Sequence, residues 1–106
     1  MAEFFEVFDE DFEDKILNSA TPILVDFWAT WCGPCRALGT ILEEVAQNYD
    51  DVKFAKINVD KNEEIPAKYR VMNIPVIMLF KDGSVVAKHV GLMSKTEVQH
   101  FIDSNI

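Results

Sequence analysis

The sequence is poor in cysteine, histidine and basic residues. It contains 106 residues with two cysteines and two histidines, and 10 lysines and arginines stand against 18 acidic residues, giving a formal net charge of -8. Nucleic-acid binding normally requires a basic surface, so this charge argues against a nucleic-acid partner and, for the same reason, against a membrane surface. A zinc site needs four ligands, and only two thiols are present. We interpret His89 and His100 as surface or packing residues and expect no metal.

Long apolar runs, linkers and repeats are also missing. No stretch approaches the roughly 20 apolar residues that span a bilayer, and acidic residues follow Met1 where a secretory signal would be basic. We therefore expect a cytoplasmic protein. The four glycines and four prolines are scattered singly, and a chain of this length buries roughly two thirds of its unfolded surface. Residues 1–106 are predicted to form a single domain that needs no structural disulfide.

Basic residues are absent from the segment Glu3 to Asp14, which contains seven acidic side chains. The simplest interpretation is a solvated face whose acids are favourably placed near the N-terminus of a helix. Recognition of a basic partner is the alternative.

Strand-like and helix-like patterns alternate along the chain. Strands are predicted over 4–8, 23–28, 52–59, 76–80 and 85–90, and helices after residue 8, after residue 35, over 63–69 and after residue 94. The segment 23–28 is apolar at both parities except for Asp26, as expected for a central strand covered on both faces. From Leu38 to Tyr49, six apolar residues form one helical stripe.

Local signals predict where the other elements begin or turn. Asp9 or Asp11 is expected to cap the first helix. A segment containing Asp82-Gly83 predicts a hairpin between the last two strands. The sequence Ser-Lys-Thr-Glu at 94–97 is a capping box that predicts the start of the last helix.

Both cysteines lie in the motif Trp-Cys-Gly-Pro-Cys-Arg at residues 31–36, between a buried strand and a helix. Side chains at i and i+3 of a helix have Cβ atoms about 5 to 6 Å apart, and a disulfide needs about 3.5 to 4.5 Å. Slight tightening of a first helical turn would therefore let Cys32 and Cys35 form and break a bond. Because disulfides are rare in the cytosol, the motif predicts a reversible thiol–disulfide couple.

The two thiols are expected to play unequal parts. Cys32 should project from the helix start into solvent as the nucleophile, and Cys35, one turn inward, should resolve the mixed disulfide. A free thiol has a pKa near 8.5, so only about 3% is thiolate at pH 7, and a helix N-terminus stabilises a nearby anion by about 0.3 to 2 kcal/mol. Pro34 suits a first turn because its missing N–H would be unpaired there, and Gly33 lets another backbone approach.

Resolution by Cys35 requires a proton acceptor, and Asp26 fits the need. A carboxylate in an apolar central strand is desolvated, which raises its pKa towards the range of a buried thiol; a structural hydrogen bond at a strand end or turn is the alternative. Lys56 is the nearest candidate counter-charge, although an edge or snorkelling lysine gives the same pattern. We interpret Trp28 as packing beneath the site and Trp31 as a partly exposed substrate surface.

The chain resembles the thioredoxin family over essentially its whole length. The resemblance rests on the run Val-Asp-Phe-Trp-Ala-Thr-Trp-Cys-Gly-Pro-Cys at 25–35, in which Gly33-Pro34 is the dipeptide of the reducing members. The segments 56–60, 74–75 and 88–91 follow in the expected order and spacing. The resemblance implies an α/β thioredoxin fold, with a central mixed five-stranded sheet flanked by four helices.

The resemblance also implies a site wider than the two cysteines. Asp26 and Lys56 would lie beneath the redox pair, and Pro75 would be cis opposite it. An extended substrate segment would hydrogen-bond to the backbone of a groove formed by Trp31, Gly33, Pro34, Val59, Ile74, Pro75, Gly91 and Leu92.

Three residues depart from the usual family pattern. Thr40 replaces the proline that commonly kinks the active-site helix, so that helix should run straighter or bend for another reason. Val76 stands where a threonine usually follows the cis-proline, and Arg70 replaces a common glycine. None of the three is expected to touch the thiols.

The leading hypothesis is an enzyme, a thiol–disulfide oxidoreductase that maintains the redox balance of the cell. It would act as a monomeric electron carrier, passing two electrons from a thioredoxin reductase, supplied by NADPH or ferredoxin, to disulfide-containing substrate proteins. It would bind no cofactor, because its redox-active centre is the Cys32–Cys35 disulfide. A thioredoxin-fold assembly module with incidental redox activity is the alternative, and an oxidase or isomerase is disfavoured by Gly33-Pro34.

Overall fold

A computed structural model describes residues 4–106, so Glu3, the first of the acidic residues, lies outside the described part with Met1 and Ala2. Five strands form one sheet: β1 Phe4–Glu6, β2 Ile23–Trp28, β3 Lys53–Asn58, β4 Val76–Lys81 and β5 Ser84–Val90. Three α-helices follow the same order: α1 Gly33–Ala46, α2 Glu64–Lys68 and α3 Lys95–Asp103. With an irregular helical segment between β1 and β2, they give the four helices of the predicted fold class, which is confirmed.

The strand order in the sheet is β1-β3-β2-β4-β5. Strands β1, β3 and β2 run parallel, whereas β4 is antiparallel to β2 and β5 is antiparallel to β4. The ends of β2, β3 and β5 and the start of β4 therefore meet at one edge of the sheet. This edge brings together chain segments that lie far apart in the sequence.

Strand β2 is central, and a hydrophobic core covers each face of the sheet. One core packs the first helical segment and α2 on the sheet, and its largest buried members include Phe12, Ile16, Phe27, Ile57 and Phe80. The other packs α1 and α3 on the opposite face, with Leu24, Leu38, Leu42, Phe54, Val98 and Ile102. Burial on both faces explains why the predicted central strand shows no polar alternation.

The first helical segment is not the regular helix that we expected. It consists of a 3₁₀ turn over Asp9–Asp11 and a π-helical turn over Glu13–Leu17. Asp11 accepts the Phe8 backbone N–H at 2.8 Å and so holds the start of its own segment. The Asp9 carboxylate instead accepts the backbone N–H groups at the start of α2, from Glu63, Glu64 and Ile65, at 3.0 to 3.1 Å. Asp9 thus caps a helix more than 50 residues away along the chain.

The predicted hairpin and capping box are both present. Asp82 and Gly83 have φ values of 53° and 79°, the left-handed pair that a tight hairpin between twisted strands requires. Ser94 accepts the Glu97 backbone N–H at 3.1 Å, and Glu97 accepts the Ser94 backbone N–H at 3.0 Å. The last helix therefore begins where the sequence indicates.

Helix α1 is shorter than the apolar stripe that predicted it. It ends at Ala46, so Tyr49 lies in the following turn and not on the helix. The Tyr49 hydroxyl donates to a carboxylate oxygen of Asp103 at 2.7 Å, which ties this turn to α3. Among residues 4–106, no helix is both long and apolar enough to cross a membrane.

Candidate active site

The two cysteines lie where the central strand β2 gives way to α1. Cys32 is the N-cap of α1 and has extended backbone angles, and Cys35 lies in the first turn. They form a disulfide with Cα atoms 5.2 Å apart, within the usual range for this bond. The Cys35 backbone N–H donates to the Cys32 sulfur at 3.2 Å. The sulfur of Cys32 therefore occupies the capping position, where the helix dipole and the Cys35 N–H, which has no partner within the helix, both favour a negative charge.

Cys32 is less exposed than we predicted. It retains 5% of its accessible surface in the disulfide form, against 1% for Cys35, so the expectation that it projects into solvent is wrong. The reason is local packing, because Ala29, Val59 and Ile74 surround the disulfide. The Cys32 sulfur also lies 4.0 Å from the carbonyl oxygen of Ile74. Of the two cysteines, Cys32 is still the more accessible.

Asp26 and Lys56 face each other across neighbouring strands beneath the cysteines. They are register partners in the parallel β2–β3 pair, and alternation along β2 places Asp26 on the α1 face with Leu24. Asp26 is 2% exposed, and its Oδ1 has no hydrogen-bond partner among residues 4–106. Lys56 is half-buried in a strand flanked by β1 and β2, so it is not an edge lysine.

A cavity of about 190 Å³ connects Asp26 with the active-site helix. Its lining includes Asp26, Lys56, Cys35 and Glu43. Burial raises the pKa of Asp26 to about 7, and the positive charge of Lys56 acts in the opposite direction. Because one water needs about 10 to 15 Å³ of such volume, the cavity is large enough to hold several waters beside Asp26 and Cys35. This arrangement can exchange a proton near neutral pH.

The two tryptophans occupy different environments. Trp28 is half-buried beside the cavity, with the Lys56 ammonium 5.5 Å from its ring centre. Trp31 is 68% exposed, and its indole Nε1–H donates to the Asp60 carboxylate at 2.8 Å. Trp28 therefore packs beneath the site, and Trp31 presents an exposed indole ring at its surface.

The Ile74–Pro75 peptide bond is cis, as the family resemblance implied. Pro75 directly precedes β4, whose first residue pairs with Phe27 of β2 and with Val90 of β5. The Pro75 carbonyl accepts the Gly91 backbone N–H at 2.8 Å. Topology alone therefore places this loop against the cysteines and the end of β5.

The other residues of the predicted groove lie at this same edge of the sheet with graded exposure. Gly33, Pro34 and Leu92 are exposed, Val59, Ile74 and Gly91 are half-buried, and Pro75 is buried. Exposed Met72 lies two residues before Ile74. These groove residues, Met72 and Trp31 together form an open apolar rim beside the disulfide.

The sequence interpretation missed several polar residues that support the site. Arg36 donates from Nη1 to the Thr30 carbonyl at 2.9 Å, bridging the loop before Cys32. Asn58 and Asn62 are buried polar residues at the end of β3 and in the loop that follows it. The signal was available, because an uncharged amide at a buried strand end needs hydrogen-bond partners.

The three departures from the family pattern occupy different structural settings. α1 continues through Thr40, whose hydroxyl donates to the Arg36 carbonyl one turn earlier at 3.3 Å. Val76 is buried in β4. Arg70 has a φ of 56° just after α2, the left-handed conformation for which glycine is normally used.

Residues 4–106 contain no group of three or more histidine, cysteine, aspartate or glutamate side chains that could hold a metal ion. His89 is half-buried at the end of β5 and His100 is exposed on α3, and both line one cavity away from the disulfide.

Comparisons with known proteins agree with this geometry. The family model described as Thioredoxin matches residues 3–104. A thioredoxin of Pseudomonas aeruginosa is 48% identical over 101 residues, covering 94% of each chain. One of Haemophilus influenzae is 45% identical over 107 residues and covers 100% of both chains. Thioredoxin 1 of Synechococcus elongatus is 43% identical over 101 residues, again covering 94% of each.

Proposed function

This chain belongs to the thioredoxin family, and from that premise we propose that Cys32 is the nucleophile and Cys35 the resolving thiol of its reaction. Thioredoxins are protein-disulfide oxidoreductases without a bound cofactor, and the chain is a protein-disulfide reductase that cycles between a dithiol and a disulfide. The assignment of Cys32 as the nucleophile rests on one observation, namely that its sulfur lies at the N-cap of α1.

In the first step, the Cys32 thiolate attacks one sulfur of a substrate disulfide. A bond forms between the two sulfurs, the substrate S–S bond breaks, and the departing substrate thiolate takes up a proton. Support comes from the Cys35 N–H, which points at the Cys32 sulfur and would stabilise its anion once the disulfide is reduced. The small accessible fraction of Cys32 is the surface through which attack would occur.

In the second step, Cys35 attacks the Cys32 sulfur of the mixed disulfide. The Cys32–Cys35 bond forms, the bond to substrate breaks, and the second substrate sulfur leaves as a thiolate that is then protonated. The substrate has gained two electrons and the protein has lost two. We propose that Asp26 accepts the Cys35 proton through the shared cavity, since its pKa of about 7 suits proton exchange there, and that Lys56 modulates Asp26 by its charge.

Substrate proteins are proposed to bind as an extended segment across the apolar rim of the site. Trp31 and Leu92 offer exposed side chains, and Ile74 offers a backbone carbonyl near the Cys32 sulfur. Gly33 and Pro34 keep the approach to the cysteines free of large side chains. Val59, Pro75 and Gly91 complete the floor of the groove.

The protein is further proposed to act as a cytoplasmic monomer without nucleic-acid or membrane partners, in line with its net charge of -8. Thioredoxins typically work with a thioredoxin reductase and with disulfide-containing substrates. The electron donor of this chain is proposed to be such a reductase, and an assay with NADPH-dependent and ferredoxin-dependent enzymes in parallel would identify its type.

Reduction of insulin by the pre-reduced protein tests the proposed roles. Cys32→Ser should abolish turnover, because no nucleophile remains at the N-cap. Cys35→Ser should attack once and accumulate a mixed disulfide through Cys32, detectable by mass spectrometry. An active Cys32→Ser variant, or a Cys35→Ser adduct formed elsewhere, would refute the assignment. Full partner function in the double Cys→Ser variant would favour an assembly module.

A further inference from the structure

Two buried amide side chains, Asn58 and Asn62, take no part in the proposed chemistry. They are 4% and 3% exposed. Asn62 accepts the Asp9 backbone N–H at 2.8 Å and donates from Nδ2 to the Asn58 carbonyl at 2.9 Å. Buried amides are costly unless they are hydrogen-bonded, so this pair fixes the chain path just beyond β3.

The side chain of Asn58 continues these contacts towards the active site. Its Oδ1 accepts the Asp60 backbone N–H at 2.9 Å, two residues on, a local bond that sets the direction of a turn. The Asp60 carboxylate in turn accepts the indole N–H of Trp31 at 2.8 Å. A continuous series of hydrogen bonds therefore runs from the buried pair to the most exposed aromatic ring of the site.

The Trp31 ring needs this support because 68% of its surface is exposed. An exposed side chain held by no polar contact samples several rotamers, and ordering it on binding reduces affinity. We propose that Asn58 and Asn62 are positioning residues that, through Asp60, pre-orient Trp31 for protein disulfides and so favour macromolecular over small disulfide substrates. The inference rests on the proposed role of Trp31 as a substrate contact.

A variant at Asp9 serves as the control that distinguishes a positioning role from an effect on stability. Its carboxylate caps α2, whereas Asn62 receives only its backbone N–H. Asp9→Ala should therefore destabilise the fold while the bonds among Asn62, Asn58, Asp60 and Trp31 persist. Asp60→Asn retains an acceptor oxygen and serves as the conservative rescue, and Asp60→Ala removes the acceptor at an exposed position without disturbing the core.

The test compares rate constants of the pre-reduced variants towards insulin and towards oxidised glutathione. In Asn58→Ala and Asp60→Ala, the rate constant towards insulin should fall about three- to tenfold, the effect of losing one hydrogen bond or of having to order one aromatic ring on binding. The rate constant towards glutathione disulfide should stay unchanged within about twofold. Asn62→Ala should lose less, because it acts one contact further away. Asp60→Asn and Asp9→Ala should keep the wild-type ratio of the two rates.

Nuclear magnetic resonance of the indole Nε1–H of Trp31 gives a second readout that stability alone would not move. Its resonance should shift in Asn58→Ala and Asp60→Ala and stay in place in Asp9→Ala. Three results would overturn the positioning role. They are equal losses of rate on insulin and on glutathione disulfide, a loss on insulin in Asp9→Ala as large as in the other variants, and an Nε1–H resonance that stays in place in both Asn58→Ala and Asp60→Ala. If Asn58→Ala does not fold, Asn62→Ala decides for the buried amides and Asp60→Ala for the carboxylate, by the same rate constants and the same resonance. Failure of the wild type to reduce insulin would instead refute the proposed function.

Discussion

At the scale of single residues, two positions are held in unfavourable states, one in the site and one in the loop after α2. Asp26 is a carboxyl buried in the central strand, with one oxygen unpartnered among the described residues. Arg70 adopts a left-handed backbone conformation without being glycine. Each is expected to lower the free energy of unfolding, and only for Asp26 have we proposed a chemical use that explains the cost.

Asp26→Ala should stabilise the oxidised protein increasingly as the pH rises. Asp26 has a pKa of about 7 in the folded chain against 3.8 for an ordinary aspartate. Between these values the folded state binds more protons than the unfolded state, so the wild-type free energy of unfolding falls with rising pH. The full difference is on the order of 4 kcal/mol. Urea unfolding at pH 5 and pH 8.5 should capture about 3 kcal/mol of this difference, because part of it is already lost at pH 5, and a pH-independent gap between variant and wild type would contradict the assignment.

Arg70→Gly should raise the free energy of unfolding by about 0.5 to 1 kcal/mol. A left-handed residue with a Cβ costs about 1 to 2 kcal/mol, and the greater unfolded-state freedom of glycine returns about half of that. The matched control is Glu44→Gly on the exposed side of α1, which should lose about 1 kcal/mol. Denaturant midpoints compare the two, and destabilisation by Arg70→Gly would show that its side chain makes a contact that outweighs the strain.

At the scale of the elements, the sequence predicted best where local chemistry decides the outcome. The hairpin at Asp82-Gly83 and the capping box at Ser94 depend on neighbouring residues alone, and both are present. The first helical segment was predicted poorly because Asp9 caps α2, a partner that only the folded chain brings near. Asn58 was missed for a different reason: its bond to the Asp60 backbone is local, and only the bond from Trp31 to Asp60, 29 residues apart, links it to the site.

Site placement shows the same division between local and tertiary information. The positions of Cys32 and Cys35 at a helix start follow from the pattern of strand and helix. The burial of Cys32 does not, because Ile74, which packs against it, comes from a loop 42 residues later. Lys56 also could not be told from an edge lysine until the strand order was known.

Two glycines in different elements should respond to alanine with opposite sign. Gly39 lies inside α1 with no atom within 4 Å of an added Cβ, so Gly39→Ala should stabilise by about 0.5 to 1 kcal/mol through helix propensity. Gly83 has a φ of 79°, and an added Cβ would lie 3.2 Å from the Leu17 carbonyl oxygen. Gly83→Ala should therefore destabilise by about 1 to 2 kcal/mol. Thermal unfolding of both variants checks the pair, and a shared sign would contradict the turn geometry.

At the scale of the whole molecule, the charge of -8 should select among substrates before contact. Two cyclic peptides with the same disulfide, flanked by lysines or by glutamates, provide the comparison. The basic peptide should react up to about tenfold faster at low salt, because opposite charges raise encounter rates. The rates should converge near 1 M salt, where charges are screened beyond about 3 Å. Equal rates at low salt would mean that the net charge has no steering effect at the site.

The edge of the sheet where the site lies also makes catalysis a property of the complete fold. Cys32, Asp60, Pro75 and Gly91 belong to four segments that meet only when β2, β3, β4 and β5 have paired. A chain divided at the Asp82-Gly83 turn would leave the cysteines on one fragment and Gly91, the hydrogen-bond donor to Pro75, on the other. Neither fragment should reduce insulin alone, and the return of activity on mixing would then report the docking of β5 onto β4 in real time.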